Sequence, residues 1–123
     1  MKKILIIDDE RELTELMKDR LELEGFEVSC AYDGVEGLLL ATQEKPELIL
    51  LDLLIPKMDG QQVYQTLKKN TQTASIRVIV FTANNKAFDT YWEKEVGAFN
   101  YLVKPFDFNQ LLRRIRGERR RGE

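Results

Sequence analysis

The sequence predicts one α/β domain, a five-stranded parallel sheet doubly wound with helices on both faces. Three observations carry that reading. The chain has 123 residues, enough for one real core and too few for two. Strand-like apolar runs alternate with helical patterns five times, without a linker or low-complexity break before an Arg-rich end. At the centre, Leu48-Ile49-Leu50-Leu51 runs straight into Asp52, the pattern of a strand buried on both faces that delivers a carboxylate as it leaves the core.

Taken in order, Lys3 to Ile7 is the first strand and runs into Asp8, Asp9 and Glu10. Leu13, Leu16, Met17 and Leu21 follow at helical spacing, and Gly25 is placed to end that helix. Phe26 to Ala31 alternates apolar and polar residues, as a half-buried edge strand does. It holds the single cysteine, Cys30, which reads as a small core hydrophobe. Asp33-Gly34 turns the chain into a second helix, with one face marked by Val35, Leu38, Leu39 and Thr42 and a stop before Pro46. After the central strand, Pro56 and Asp59-Gly60 turn the chain again, and Asp59 suits a helix N-cap. The third helix, from about Gly60 to Lys69, points Val63 and Leu67 inward, and residues 71–75 form a polar loop.

Ile76 to Phe81 is the fourth strand and delivers Thr82-Ala83-Asn84 to its end. The fourth helix spans about Lys86 to Val96, with Phe88, Tyr91 or Trp92, and Val96 at helical spacing and Gly97 closing it. A single helix rarely buries both Tyr91 and Trp92, so one of them is expected at the surface, as at an interface. Phe99 to Val103 is the fifth strand, followed by Lys104-Pro105-Phe106. Asp107 caps a last helix carrying Leu111, Leu112 and Ile115.

Right-handed crossovers place the C-terminal ends of parallel strands on one edge of the sheet. Asp8, Asp9, Asp52, Thr82 and Lys104 are therefore expected to converge. Carboxylates that close raise each other's pKa or demand a cation. The chain has no histidine, which excludes His-based catalysis and His metal ligands and leaves an oxygen site suited to Mg²⁺. An aspartate beside such an ion can attack phosphorus to give an acyl phosphate. Lys104 can neutralise the phosphoryl oxygens, and the Thr82 hydroxyl can donate to one of them. The set contains no dedicated general base.

At these residues the chain resembles the response-regulator receiver domain of two-component signalling. The resemblance runs from Lys3 to Ile115. It rests on Ile7-Asp8-Asp9-Glu10, Leu51-Asp52-Leu53-Leu54-Ile55-Pro56, Met58-Asp59-Gly60, Phe81-Thr82-Ala83, and Gly97-Ala98 followed by Tyr101-Leu102-Val103-Lys104-Pro105-Phe106. It implies a flavodoxin-like sheet of strand order 2-1-3-4-5. It also implies that Asp52 takes a phosphoryl group from a phosphohistidine on a partner histidine kinase or phosphotransfer protein. By the same match Asp9 and Asp52 ligate Mg²⁺, with Asp8 bound directly or through water and the Leu54 carbonyl as a further ligand. Lys104 pairs with the phosphoryl group, Pro105 is cis, and Thr82 and Tyr101 form the switch, with Tyr101 turning inward on phosphorylation. An output domain, or a homodimer through the fourth helix, fifth strand and fifth helix, is the expected downstream partner. Ile55 stands where the family often has Met, and Phe99-Asn100 replaces a commonly acidic pair.

Rival chemistries fit less well. Aspartate-nucleophile phosphohydrolases usually carry a second acid two residues after the nucleophile, where this chain has Leu54. A flavodoxin needs a Ser/Thr/Gly-rich turn after the first strand, and here that turn is acidic. No dinucleotide Gly-rich fingerprint or P-loop lysine is present. The protein is expected to be primarily a switch that catalyses its own phosphorylation. Leu54 and Asn84, facing each other across the pocket mouth, are expected to make self-dephosphorylation slow. Net charge is -2, so no global field draws the domain to nucleic acid. No apolar run is long enough to span a bilayer, and Met1-Lys2-Lys3 lacks a signal-peptide pattern, so a cytoplasmic domain is expected. Residues 1–116 are assigned to the domain and 117–123 to an Arg-rich tail or the start of a linker.

Overall fold

The computed structural model describes residues 2–83 and 90–118. Its elements are β1 (Lys3–Ile7), α1 (Arg11–Leu23), β2 (Glu27–Ala31), α2 (Gly34–Glu44), β3 (Leu48–Asp52), α3 (Gly60–Lys69), β4 (Arg77–Thr82), α4 (Thr90–Glu95), β5 (Tyr101–Val103) and α5 (Phe108–Arg116). The strands pair in parallel in the order β2-β1-β3-β4-β5, as the resemblance implies.

Side-chain alternation in the strands divides the interior into two cores. Leu5 and Ile7 of β1, Ile49 and Leu51 of β3, and Val78 and Val80 of β4 face one side, where Ala41, Val63, Tyr64, Leu67 and Trp92 cover them. Ile4, Ile6, Leu48, Leu50, Ile79 and Phe81 face the other, against Met17, Leu21, Leu111, Leu112 and Ile115. β3 lies mid-sheet and is buried along its whole length, whereas edge strand β2 is exposed at Glu27 and only half-buried at Ser29 and Cys30. Asp33, Asp59 and Asp107 each cap a helix by accepting a backbone N–H three residues on, at 2.8–3.0 Å. Gly97 closes α4 with φ +76°, a conformation that suits glycine.

Two helical faces differ from the sequence reading. On α1 the buried residues are Thr14, Met17 and Leu21, while Leu13 and Leu16 are exposed. On α2 Val35 and Leu39 are exposed, and the face toward the sheet is Gly34, Gly37 and Ala41. The reason is close approach: a Cβ on Gly37 would stand 2.6 Å from Ile7 Cδ1, so small residues line the contact and Leu38 and Leu40 pack at its flanks. Residues 71–75, expected as a polar loop, carry one buried side chain, Thr73, whose hydroxyl donates to the Leu67 carbonyl at 2.7 Å. Trp92 is buried against Tyr64 and Tyr91 is half-buried, so Tyr91 is the nearer of the pair to the surface. The fourth helix as described is Thr90–Glu95, and Phe88 lies outside the described residues. β5 begins at Tyr101, because Ala98–Asn100 form a 3₁₀ turn. Cys30 is half-buried against the second core, and burial pushes its thiol up.

Candidate functional site

Asp8 follows β1, and its N–H donates to the Ala31 carbonyl at 3.0 Å, which ties the start of the loop to β2. Its side chain is buried. Oδ1 accepts the Glu10 N–H at 3.0 Å and Oδ2 accepts from Lys104 Nζ at 2.9 Å. Asp52 is the last residue of β3 and is buried as well. Its Oδ1 accepts the Leu54 N–H at 3.0 Å and its Oδ2 accepts from Lys104 Nζ at 3.0 Å. The loop behind Asp52 is held at both ends: Leu53 N–H donates to the Phe81 carbonyl, and Gly60 N–H to the Leu53 carbonyl. A Cβ on Gly60 would stand 2.8 Å from the Asp52 carbonyl oxygen, so glycine is needed there for close approach.

Lys104 reaches this edge from the end of β5. Its N–H donates to the Thr82 carbonyl at 2.8 Å, which registers it beside the end of β4. The peptide bond to Pro105 is cis, in line with the expectation. The stem passes the Phe81 ring, with Nζ 5.1 Å from its centroid. Thr82 ends β4 and is buried. Asp8, Asp52, Thr82 and Lys104, up to 96 residues apart in the chain, therefore meet at one edge of the sheet.

Asp9 and Glu10 are both exposed, and the Glu10 carboxylate reaches back to the site. Oxygens of Asp8, Glu10 and Asp52 lie within 4.8 Å of one another, and Glu10 Oε1 accepts from Lys104 at 2.7 Å. Sequence reasoning counted Glu10 among the acids but gave it no role. Its only signal was its place beside Asp8, since nothing local points to a lysine 94 positions away. The Tyr101 side chain is inward, at 7% exposure in the core with Trp92 and Tyr64. The parallel register sets Tyr101 beside Val80, two residues before Thr82. The Leu54 side chain points to solvent at 62% exposure, and Asn84 lies outside the described residues.

The electrostatics follow from burial. Desolvation pushes the Asp52 carboxyl up to about 6, against the opposing pull of the Leu54 N–H and the Lys104 ammonium. Burial alone would lower Lys104, but its hydrogen bonds to Glu10, Asp8 and Asp52 outweigh burial and hold the ammonium above its ordinary value. The site therefore has a lysine charged at any physiological pH and a carboxylate whose ionisation is costly.

The family model for the response regulator receiver domain matches residues 4–116. The chain belongs to that family, and its role is that of the phosphoacceptor domain in two-component signalling. It is 43% identical over 98% of its length to the DNA-binding dual master transcriptional regulator RpaA of Synechocystis, and 45% identical over the same share to the transcriptional regulatory protein CpxR of Escherichia coli. It spans 50% of each of these relatives. Among solved structures, a CheY-like receiver domain protein from Methanospirillum hungatei superposes with TM-score 0.85 at 30% identity, covering 95% of this chain and 92% of that one. The chemotaxis protein CheY4 of Vibrio cholerae gives TM-score 0.85 at 28% identity, covering 95% and 98%. Receiver domains bind Mg²⁺ at an acidic pocket, and the Asp8, Glu10 and Asp52 group is of that kind. Among the described residues, no helix is long and apolar enough to cross a membrane.

Proposed function

We propose that Asp52 is the phosphoacceptor of this domain. The observation that supports this best is the buried Asp52 carboxylate at the end of β3, bonded to Lys104 beside Thr82. In the reaction an Asp52 oxygen attacks the phosphorus of a phosphohistidine on a partner histidine kinase or phosphotransfer protein. A new O–P bond forms, the N–P bond breaks, and the imidazole leaves with its electron pair. Lys104 and the Thr82 hydroxyl donate to the phosphoryl oxygens as charge develops on them. An apolar groove of about 600 Å³, lined by Leu13, Leu16 and Phe108 and ending at Glu10 and Lys104, supports docking of a protein donor beside the site.

The donor set fits a hard cation: carboxylates crowd a pocket in which Lys104 is the one cation bonded to them among the described residues. Asp8 and Asp52 would hold Mg²⁺, with the Leu54 carbonyl and, once its exposed side chain swings in, Asp9. Bound there, Mg²⁺ would supply charge neutralisation for the transferring group. Relatives about twice as long support a domain over residues 1–116 with 117–123 as an Arg-rich tail or the start of a linker. The surface of α4, β5 and α5, which Tyr101 and Thr82 underlie, is the face that would change on phosphorylation and meet an output domain or a second copy. A cytoplasmic setting suits a partner kinase.

Incubation with a small acyl phosphate tests this reading. The protein should gain one acid-stable, base-labile phosphate, and only with Mg²⁺ present. Gain of none, or an equal gain after chelation, contradicts it. An Asp9→Ala protein should need more Mg²⁺ for the same labelling.

A further inference from the structure

We propose that Glu10 is a releasable latch on Lys104, which holds the ammonium until the phosphoryl group arrives and then gives way to it. The inference rests on Lys104 being the cation that receives the phosphoryl group. A lysine ammonium has three N–H donors and no acceptor. In this structure three carboxylates surround Nζ at hydrogen-bond distance: Glu10 at 2.7 Å, Asp8 at 2.9 Å and Asp52 at 3.0 Å. With all three bonds made, Lys104 has no donor left for a phosphoryl oxygen. One of the bonds must break first.

Burial decides which. The side chains of Asp8 and Asp52 are 0% and 5% exposed, so each needs a cation beside it at all times, Lys104 or a bound metal ion. The Glu10 side chain is 56% exposed. Released, its carboxylate returns to water. The backbone need not move, because the Glu10 N–H is bonded to Asp8 Oδ1 while the side chain rotates on its own bonds. Glu10 also occupies the N-cap position of α1 without capping it, whereas Asp33, Asp59 and Asp107 all cap their helices. Its carboxylate is directed to Lys104 instead. A phosphoryl donor is anionic, so release both frees a donor on Lys104 and moves a like charge out of the donor's path. Glu10 is thus a positioning residue that sets how readily the site engages its donor.

The test compares Glu10→Ala, Glu10→Gln and Glu10→Asp with wild type. Labelling rates are measured over a range of acetyl phosphate and of Mg²⁺, together with the ¹⁵N chemical shift of Lys104 Nζ. A latch predicts a labelling rate raised about twofold to fivefold in Glu10→Ala at low ionic strength, with the gain shrinking as salt is added. Glu10→Gln, which keeps an acceptor but no charge, should gain less. Glu10→Asp, which keeps the charge but falls short, should shift Nζ as Glu10→Ala does with a smaller gain in rate. Mg²⁺ dependence should change much less in all three than in Asp9→Ala, by no more than the loss of one nearby charge allows. Unchanged rate and Nζ shift in Glu10→Ala overturn the latch. So does a fall in rate with weaker Mg²⁺ dependence, which would make Glu10 a metal ligand. Wild-type protein that takes no label at Asp52 breaks the phosphoacceptor reading itself, a separate result from either.

Discussion

Lys104 and Arg77 are two cations drawn into opposite ends of the same sheet, and their partners differ in kind. Arg77 opens β4. Its guanidinium donates to the Asn100 carboxamide at 2.8 and 3.2 Å, to the Arg114 carbonyl at 2.6 Å and to the Ile115 carbonyl at 2.9 Å. The carbonyls belong to the last turn of α5, the negative end of its dipole. Lys104 follows β5 and is bonded to three carboxylates. Among the described residues these bonds of Arg77 run to neutral oxygens in a rigid fork, the geometry of a brace. A cation among carboxylates that repel one another sits in a balance that a metal ion or a phosphoryl group can shift. One end of the sheet is built to stay, and the other to exchange partners.

The largest effect is expected at Asp52. Asp52→Asn should take up no phosphate yet remain folded. Without divalent metal it should be the more stable protein at neutral pH. The folded Asp52 carboxyl lies near about 6, above its ordinary 3.8, so the folded state binds more protons than the unfolded state between those values. Wild-type stability contributed by this group therefore falls as pH rises from about 4 to about 6. The advantage of Asn, up to about 3 kcal/mol, should be full above that window and absent below it in urea titrations at several pH values.

Lys104→Met sharpens the contrast from the other side. It leaves Asp8 and Asp52 buried without their cation, at a cost of about 3 kcal/mol at neutral pH. That loss should shrink in acid and be partly restored by Mg²⁺. Arg77→Ala should cost about 2–3 kcal/mol by loss of the bonds to α5, with no recovery by Mg²⁺ and little by Arg77→Lys, which lacks the planar fork. Its folded fraction should label at the wild-type rate. If Mg²⁺ restored Arg77→Ala as it restores Lys104→Met, the two ends would not differ as argued.

The sheet and most of the site could be read from sequence because their signals are local. An apolar run ending in a carboxylate identifies both a buried strand and its exit, so Asp8, Asp52 and Thr82 fell at strand ends as expected. Helix faces were harder. A face next to a sheet can be made of small residues, and periodicity in large apolar residues then marks the wrong side, as at Val35 and Leu39. Side-chain reach was readable at Lys104 but not elsewhere. Glu10 meets Lys104 because the fold brings that lysine alongside, and Arg77 reaches carbonyls 37 and 38 positions away. The inward Tyr101 depends likewise on the packing of Trp92 and Tyr64 around it.

The central claim is that the carboxylate Lys104 holds at the end of β3 is the one that accepts phosphate. Protein labelled with a small acyl phosphate and Mg²⁺, trapped by borohydride reduction and mapped by peptide mass spectrometry, tests it directly. The expected result is a single modified residue, Asp52, in wild type and none in Asp52→Asn. A label on Asp8, Asp9 or Glu10 in wild-type protein, or a label that persists undiminished in Asp52→Asn, would contradict it.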